Sequence, residues 1–162
     1  RPVLIAGFGR VGKTVASMLR AANVPCIAID MDADGVSKGR SEGYQVFFGD
    51  SSRPDVLRAV GAKNARLMVV TLDDPVVAER LIQTMKRLYP DVPLHARAHD
   101  WDVADRFESL GIAHSIPDTV ESSLRLGAST LEAAGVSEED RRALFEDLSA
   151  QNYAKMRACE TR

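Results

Sequence analysis

Six residues near the start of the chain, Gly7-Phe8-Gly9-Arg10-Val11-Gly12, have the types and spacing that hold a phosphate. In a G-x-G-x-x-G turn the first glycine permits the bend. The second lets a pyrophosphate approach the backbone, and the third lets helix and strand pack closely. The N–H groups opening the next helix, with its dipole, favour the phosphate charge. Arg10 falls in the first turn of that helix, where a cation opposes the dipole, and a bound pyrophosphate would compensate it. Asp30 ends the following apolar run, VPCIAID. An acid there accepts hydrogen bonds from ribose hydroxyls and repels a 2′-phosphate. NADP is therefore disfavoured, and NAD(H), AMP, ADP and ATP remain. Met31 and Asp32 belong to the same candidate site, although Asp32 also fits a solvated turn.

Ligands of open α/β sheets bind beyond the carboxyl ends of the strands. Those ends carry the remaining candidates. Gly49-Asp50-Ser51-Ser52 offers backbone close to an adenine and a carboxylate for its amino group. Thr71-Leu72-Asp73 would line the crevice. Arg97, within HARAHD, is the candidate for an anionic ligand, with an ion pair to Asp73 or Asp100 as its alternative. Ser52 and Asp74 also read as helix N-caps, Asp74 with Pro75 at the first helical position. His95, His99 and His114 do not have metal-ligand spacing.

To position these residues the chain must alternate strands and helices, and its patterning does so. Apolar runs at Pro2–Ala6, Val24–Ile29, Gln45–Phe48, Leu67–Leu72, Pro93–Ala98 and Ala113–Ile116 read as strands. Amphipathic stretches lie between them: Arg10–Ala22, Ala33–Glu42, Pro54–Val60, Pro75–Leu88 and Trp101–Leu110. Such alternation implies right-handed crossovers and a Rossmann-like, doubly wound parallel sheet of about six strands, an α/β fold. The Leu67–Leu72 strand, apolar up to Thr71, is expected to be buried on both faces. The sheet closes near Pro117, giving residues 1–117 as a nucleotide-binding domain and 118–162 as a helical extension. Asp118 is expected to cap the first tail helix, with Glu121 as capping-box partner. Ser137 caps the second, whose apolar residues include Leu144, Phe145, Leu148, Tyr153 and Met156. Those helices either pad the sheet or pack on a second copy.

The 162 residues carry a formal net charge of −2 with scattered Lys and Arg, which argues against a nucleic-acid partner. The two cysteines, Cys26 and Cys159, form no redox or metal spacing, and Cys26 reads as a buried thiol. The chain opens Arg-Pro directly before a strand, as a fragment of a longer protein would. A dehydrogenase needs a second domain to hold substrate against the nicotinamide. Only two helices follow the sheet here, so the expectation is a sensor rather than an enzyme, a domain whose ligand shifts a conformational equilibrium.

The stretches GFGRVG, GDSSRPDVLRAVGA, LMVVTLDDP and HARAHD, in this order, resemble the RCK-type regulatory domain, also called KTN or TrkA-N, over about Pro2 to Ile116. The loop, the HARAHD strand and the tail are most similar to the C-terminal domain of Kef-type potassium/proton antiporters. The tail lacks the β-rich subdomain of many RCK channel gates. The resemblance implies a homodimer exchanging its later helices, on the cytoplasmic face of a bacterial inner membrane and tethered to an antiporter. It implies binding of NAD(H) or an adenine nucleotide, AMP foremost among the mononucleotides, and gating of ion flux. Gly7 to Gly12 would hold the phosphates and Asp30 the ribose. Gly49 to Ser52 would flank the adenine, Thr71 to Asp73 would line the crevice, and Arg97 would face the dimer cleft. Glutathione control, known for some Kef members, is not implied. Ser17 stands where an arginine would be needed, and Ser149, Gln151 and Asn152 give no clear match. The alternatives are the gating domain of a potassium channel or Trk-type uptake system, and the cofactor half of a dehydrogenase.

Overall fold

The computed structural model describes the backbone of residues 1–112 and 114–160, and the side chains of these except Glu121 and 152–160. Six strands, β1 (Val3–Ala6), β2 (Cys26–Asp30), β3 (Val46–Phe48), β4 (Leu67–Val70), β5 (Leu94–Ala98) and β6 (His114–Pro117), form one parallel sheet in the order β3-β2-β1-β4-β5-β6. The strand order reverses between β1 and β4, which opens a crevice at their carboxyl ends. The helices are α1 (Arg10–Ala21), α2 (Ala33–Ser41), α3 (Pro54–Ala59), α4 (Pro75–Leu88), α5 (Trp101–Ser109), α6 (Asp118–Ala133) and α7 (Glu138–Glu160). The element types match the sequence reading, and most bounds shift by one or two residues.

Alternation along the strands splits the core in two. Leu4 and Ala6 of β1 join Met68, Val70, Leu94 and Ala96 beneath α3, α4 and α5. Val3 and Ile5 join Ala28 and Val46 beneath α1 and α2, with Phe8 and Tyr44 edge-on at 5.4 Å between ring centroids. The second cluster reaches β4 only through the half-buried Leu67 and Val69. The fourth strand is thus not fully buried on both faces. On the α1/α2 face of β5 and β6, side chains are half-buried (His95, Arg97) or exposed (His114, Ile116).

The tail behaves differently. Helices α6 and α7 pack chiefly on each other, tied by an Arg141–Glu132 ion pair at 3.0 Å. Among the described residues after Pro117, none is buried. Asn152, Tyr153 and Met156 lie outside the described side chains. Asp118 does not cap α6. Its carboxylate is drawn instead to Arg97, a charge-assisted contact stronger than an ordinary cap. Ser137 does serve its helix, accepting from the Asp140 amide at 3.2 Å. Cys26 is half-buried rather than buried, and burial pushes its thiol up against a smaller opposing effect of Arg20.

Candidate functional site: a nucleotide crevice

The phosphate loop is fixed before any ligand arrives. Gly7 adopts φ +98°, a left-handed conformation that side chains rarely tolerate. A Cβ on Gly12 would lie 2.0 Å from the Gly7 carbonyl oxygen, so the third glycine is required by helix–loop contact. A Cβ on Gly9 would meet nothing within 4 Å. Its freedom is space, of the kind a phosphate would occupy. The Thr71 hydroxyl, buried, sits 3.0 and 2.9 Å from the Ala6 and Gly7 carbonyls and pins the loop to the end of β4.

Helix starts separate by chemistry. Carboxylates cap α2 (Asp32), α4 (Asp74) and α5 (Asp100) through backbone amides. Helix α1 starts at Gly9 with no side-chain cap and no acid in its first turn. Its N–H groups are left to the crevice, which suits an anion. Arg10 stands exposed beside them and enters no ion pair among the described residues.

Asp30 is a clasp as well as a candidate ribose acceptor. Its Oδ2 accepts from the Phe8 amide and its Oδ1 from the Asp32 amide at 2.8 Å. It therefore joins the end of β2 to the phosphate loop. Met31, 64% exposed, follows it. Phe48, 62% exposed, is its register partner on β3. Two apolar side chains thus flank Asp30 at the rim. Sequence reasoning missed Phe48, because a phenylalanine in a strand reads as core.

The Gly49-Asp50-Ser51-Ser52 turn departs from the expectation. Ser51 and Ser52 are buried. Asp50 Oδ1 accepts from both the amide (2.8 Å) and the hydroxyl (2.7 Å) of Ser52. These residues shape the turn, so Ser52 neither caps α3, whose N-cap is Arg53, nor presents its hydroxyl to a base. Gly49 and Asp50 stay half-exposed at the rim. Leu72 turns toward the α4 core rather than the crevice.

A polar cavity of about 500 Å³ brings together Gly9, Arg10, Val11, Thr71, Asp73 and Arg97, and adds His99, Asp118, Thr119, Ser122 and Ser123. Arg97 reaches the crevice as expected but already holds two carboxylates. It contacts Asp73, and it meets Asp118 through Nε at 2.7 Å and a terminal nitrogen at 2.6 Å. Burial works against its charge. The two carboxylates outweigh that and hold the guanidinium above its ordinary range. Arg97 is thereby a brace between β5 and α6, whereas Arg10 enters no ion pair among the described residues. The α6 contribution had one legible signal: Thr119, Ser122 and Ser123 share a helical face. Ser17, whose identity argued against glutathione control, bonds to the Tyr44 hydroxyl at 2.7 Å between α1 and the α2–β3 turn.

Residues 3–117 match the model of the TrkA-N domain. The chain belongs to the TrkA-N family. It is 38% identical over 132 residues to K(+) efflux antiporter 1, chloroplastic, of Arabidopsis thaliana, covering 82% of this chain and 11% of that protein. It is 33% identical over 157 residues to the glutathione-regulated potassium-efflux system protein KefC of Salmonella arizonae, covering 95% of this chain and 25% of that one. The chain thus spans a quarter or less of these relatives. The Kef C-terminal domain of Shewanella denitrificans, solved in an AMP-bound form, superposes with a TM-score of 0.85 at 28% identity, covering 99% of this chain and 98% of that one. The GsuK structure bound to ADP superposes with a TM-score of 0.71 at 25% identity, covering 78% and 33%. The fold is the Rossmann-like TrkA-N sheet with C-terminal helices, and the homologous domains belong to potassium transporters and channels rather than to metabolic enzymes.

Proposed function

We propose that this chain is the regulatory domain of a Kef-like potassium/proton antiporter and binds an adenine nucleotide in the crevice. AMP is the foremost mononucleotide, and NAD(H) is the larger alternative. The observation that carries the reading is the start of α1: an uncapped helix terminus, open space at Gly9 and an Arg10 without an ion pair among the described residues, all in one place. The phosphate lies on those amides and on Arg10. Asp30 keeps acceptor capacity for the ribose hydroxyls, Met31 and Phe48 flank the base, and Asp50 with Gly49 meets its edge. On this reading the ligand acts by occupancy.

The Kef-like reading is preferred to a channel gate because the superposition with the Kef domain runs through the tail, whereas that with ADP-bound GsuK covers 78% of the chain. On this reading residues 1–117 sense the ligand and 118–162 transmit its effect, tethered to a membrane exchanger at its cytoplasmic face. A second copy covers the tail. Leu126, Leu144 and Leu148 are 70%, 45% and 46% exposed along an apolar groove of about 840 Å³ between α5, α6 and α7.

Titration calorimetry with AMP tests the ligand assignment. The native chain binds, and Asp30→Ala binds at least about tenfold more weakly, since hydrogen bonds to a charged acceptor are each worth about 1.5–3 kcal/mol. Unchanged affinity in Asp30→Ala overturns the site.

A further inference from the structure

We propose that His99 is a proton-operated latch between the crevice and the helical tail. Its Nε2 lies 2.9 Å from the carbonyl oxygen of Asp73. A carbonyl only accepts, so Nε2 carries the hydrogen, and in the neutral ring Nδ1 is left with a lone pair. That nitrogen faces Asp118 Oδ1 at 3.9 Å, and this oxygen is buried with no hydrogen-bond partner among the described residues. Two acceptors confront each other across a gap. The other oxygen of Asp118 is already engaged by Arg97. The Thr119 hydroxyl donates to the His99 carbonyl at 2.9 Å, so the residue is tied to the start of α6 through its backbone as well.

One proton resolves the mismatch. Protonated Nδ1 becomes a donor, and the buried carboxylate oxygen gains the partner it lacks in a charge-assisted bond. Charged groups from several elements surround the ring. Asp73 approaches from the β4–α4 loop, Arg97 from β5 and Asp118 from α6, while Arg10 of α1 lies across the cavity. Asp100, beside His99 in the chain, is committed to the Val103 amide at 2.9 Å. Asp73 and Asp118 share the Arg97 guanidinium next to the imidazole. Histidine is the side chain whose charge changes across the physiological range. A proton on Nδ1 therefore adds a further tie between the first turn of α6 and the strand ends, beside those made by Arg97 and the Thr119 hydroxyl.

The latch stands on this geometry and does not need the nucleotide reading. Its use does rest on that reading: coupled to a potassium/proton exchanger, it reports the pH that the exchanger changes. Two measurements on the 162-residue chain test it. Ring 15N shifts of His99 at about pH 8 should show the Nε2–H tautomer. Amide exchange of Ser122 and Ser123, corrected for intrinsic rates, should show about fivefold or greater protection at about pH 6 over pH 8, and His99→Gln should abolish that difference. The Nδ1–H tautomer in alkali, or an equal pH difference in both proteins, overturns the latch. The tautomer is read on the unaltered chain and holds as a test even if the variant misfolds. AMP affinity is read separately and bears only on the nucleotide site.

Discussion

The sheet and the tail solve the burial problem in opposite ways. From Val3 to Pro117 the chain closes two apolar clusters around one parallel sheet and leaves a polar rim facing the phosphate loop. From Asp118 onward it builds two long helices in which no described side chain is buried and three leucines stand well exposed. Burial of a leucine is worth about 1.5–3 kcal/mol relative to exposure, so a helix pair that forgoes it is incomplete by itself. The body leaves the uncapped start of α1 and the exposed Arg10 at its rim. The tail leaves apolar surface open. A ligand in the crevice touches the junction where these two parts meet, because Arg97, His99 and Asp118 all line the same cavity.

The largest expected effect lies in the body. Gly12→Ala drives a Cβ to 2.0 Å from the Gly7 carbonyl, against backbone that cannot rotate away. Overpacking of this kind costs about 3 kcal/mol. The thermal midpoint falls by several degrees and AMP binding by calorimetry is lost. If Gly12→Ala keeps both, the loop is not the rigid cradle described, and the contrast with the tail loses its basis.

In the tail the effect is smaller and of another kind. Leu144→Ser with Leu148→Ser removes apolar surface that a single copy leaves exposed. Unfolding of the isolated chain at high dilution and its AMP affinity stay as they were. Self-association weakens by roughly 100-fold, if about 3 kcal/mol of burial is lost across the interface. Sedimentation over a range of concentrations reads this directly. An unchanged distribution would mean that the groove is covered otherwise, or not at all.

Much of the body was legible because its determinants are local. G-x-G-x-x-G states its own geometry, apolar runs of four to six residues state strands, and Asp74-Pro75 states a helix start. Capping by Asp74 and opening of α1 at Arg10 both follow from neighbours in the chain. The misreadings concern side chains with two suitors. Asp118 could cap α6 or meet Arg97, and the arginine that claims it is 21 positions away. Ser52 could cap α3 or close its own turn with Asp50, and the shorter loop prevails. For Arg97 the ion pair with Asp73 was one of the alternatives read from the sequence, and the second carboxylate, Asp118, was not among them. Local patterning carries no record of such meetings, and the crevice is made mostly of them.

The smallest effect concerns the sheet face that neither α1 nor α2 covers. His95 of β5 meets His114 of β6 edge-on, with ring centroids 4.7 Å apart. Burial lowers the His95 pKa, and the charge of His114 lowers it further. The unfolded chain therefore takes up this proton at a higher pH than the folded one. Above the ordinary histidine range, near 6.5, both states are neutral and His95 exacts no penalty. As pH falls through that value the unfolded state protonates first, and stability is lost until the folded state follows. His95→Gln removes this component. In urea unfolding the variant should lose less stability than the native chain between about pH 7.5 and pH 5.5. Parallel losses in the two proteins would show that the face is covered or relaxed so that His95 holds its proton equally well folded and unfolded.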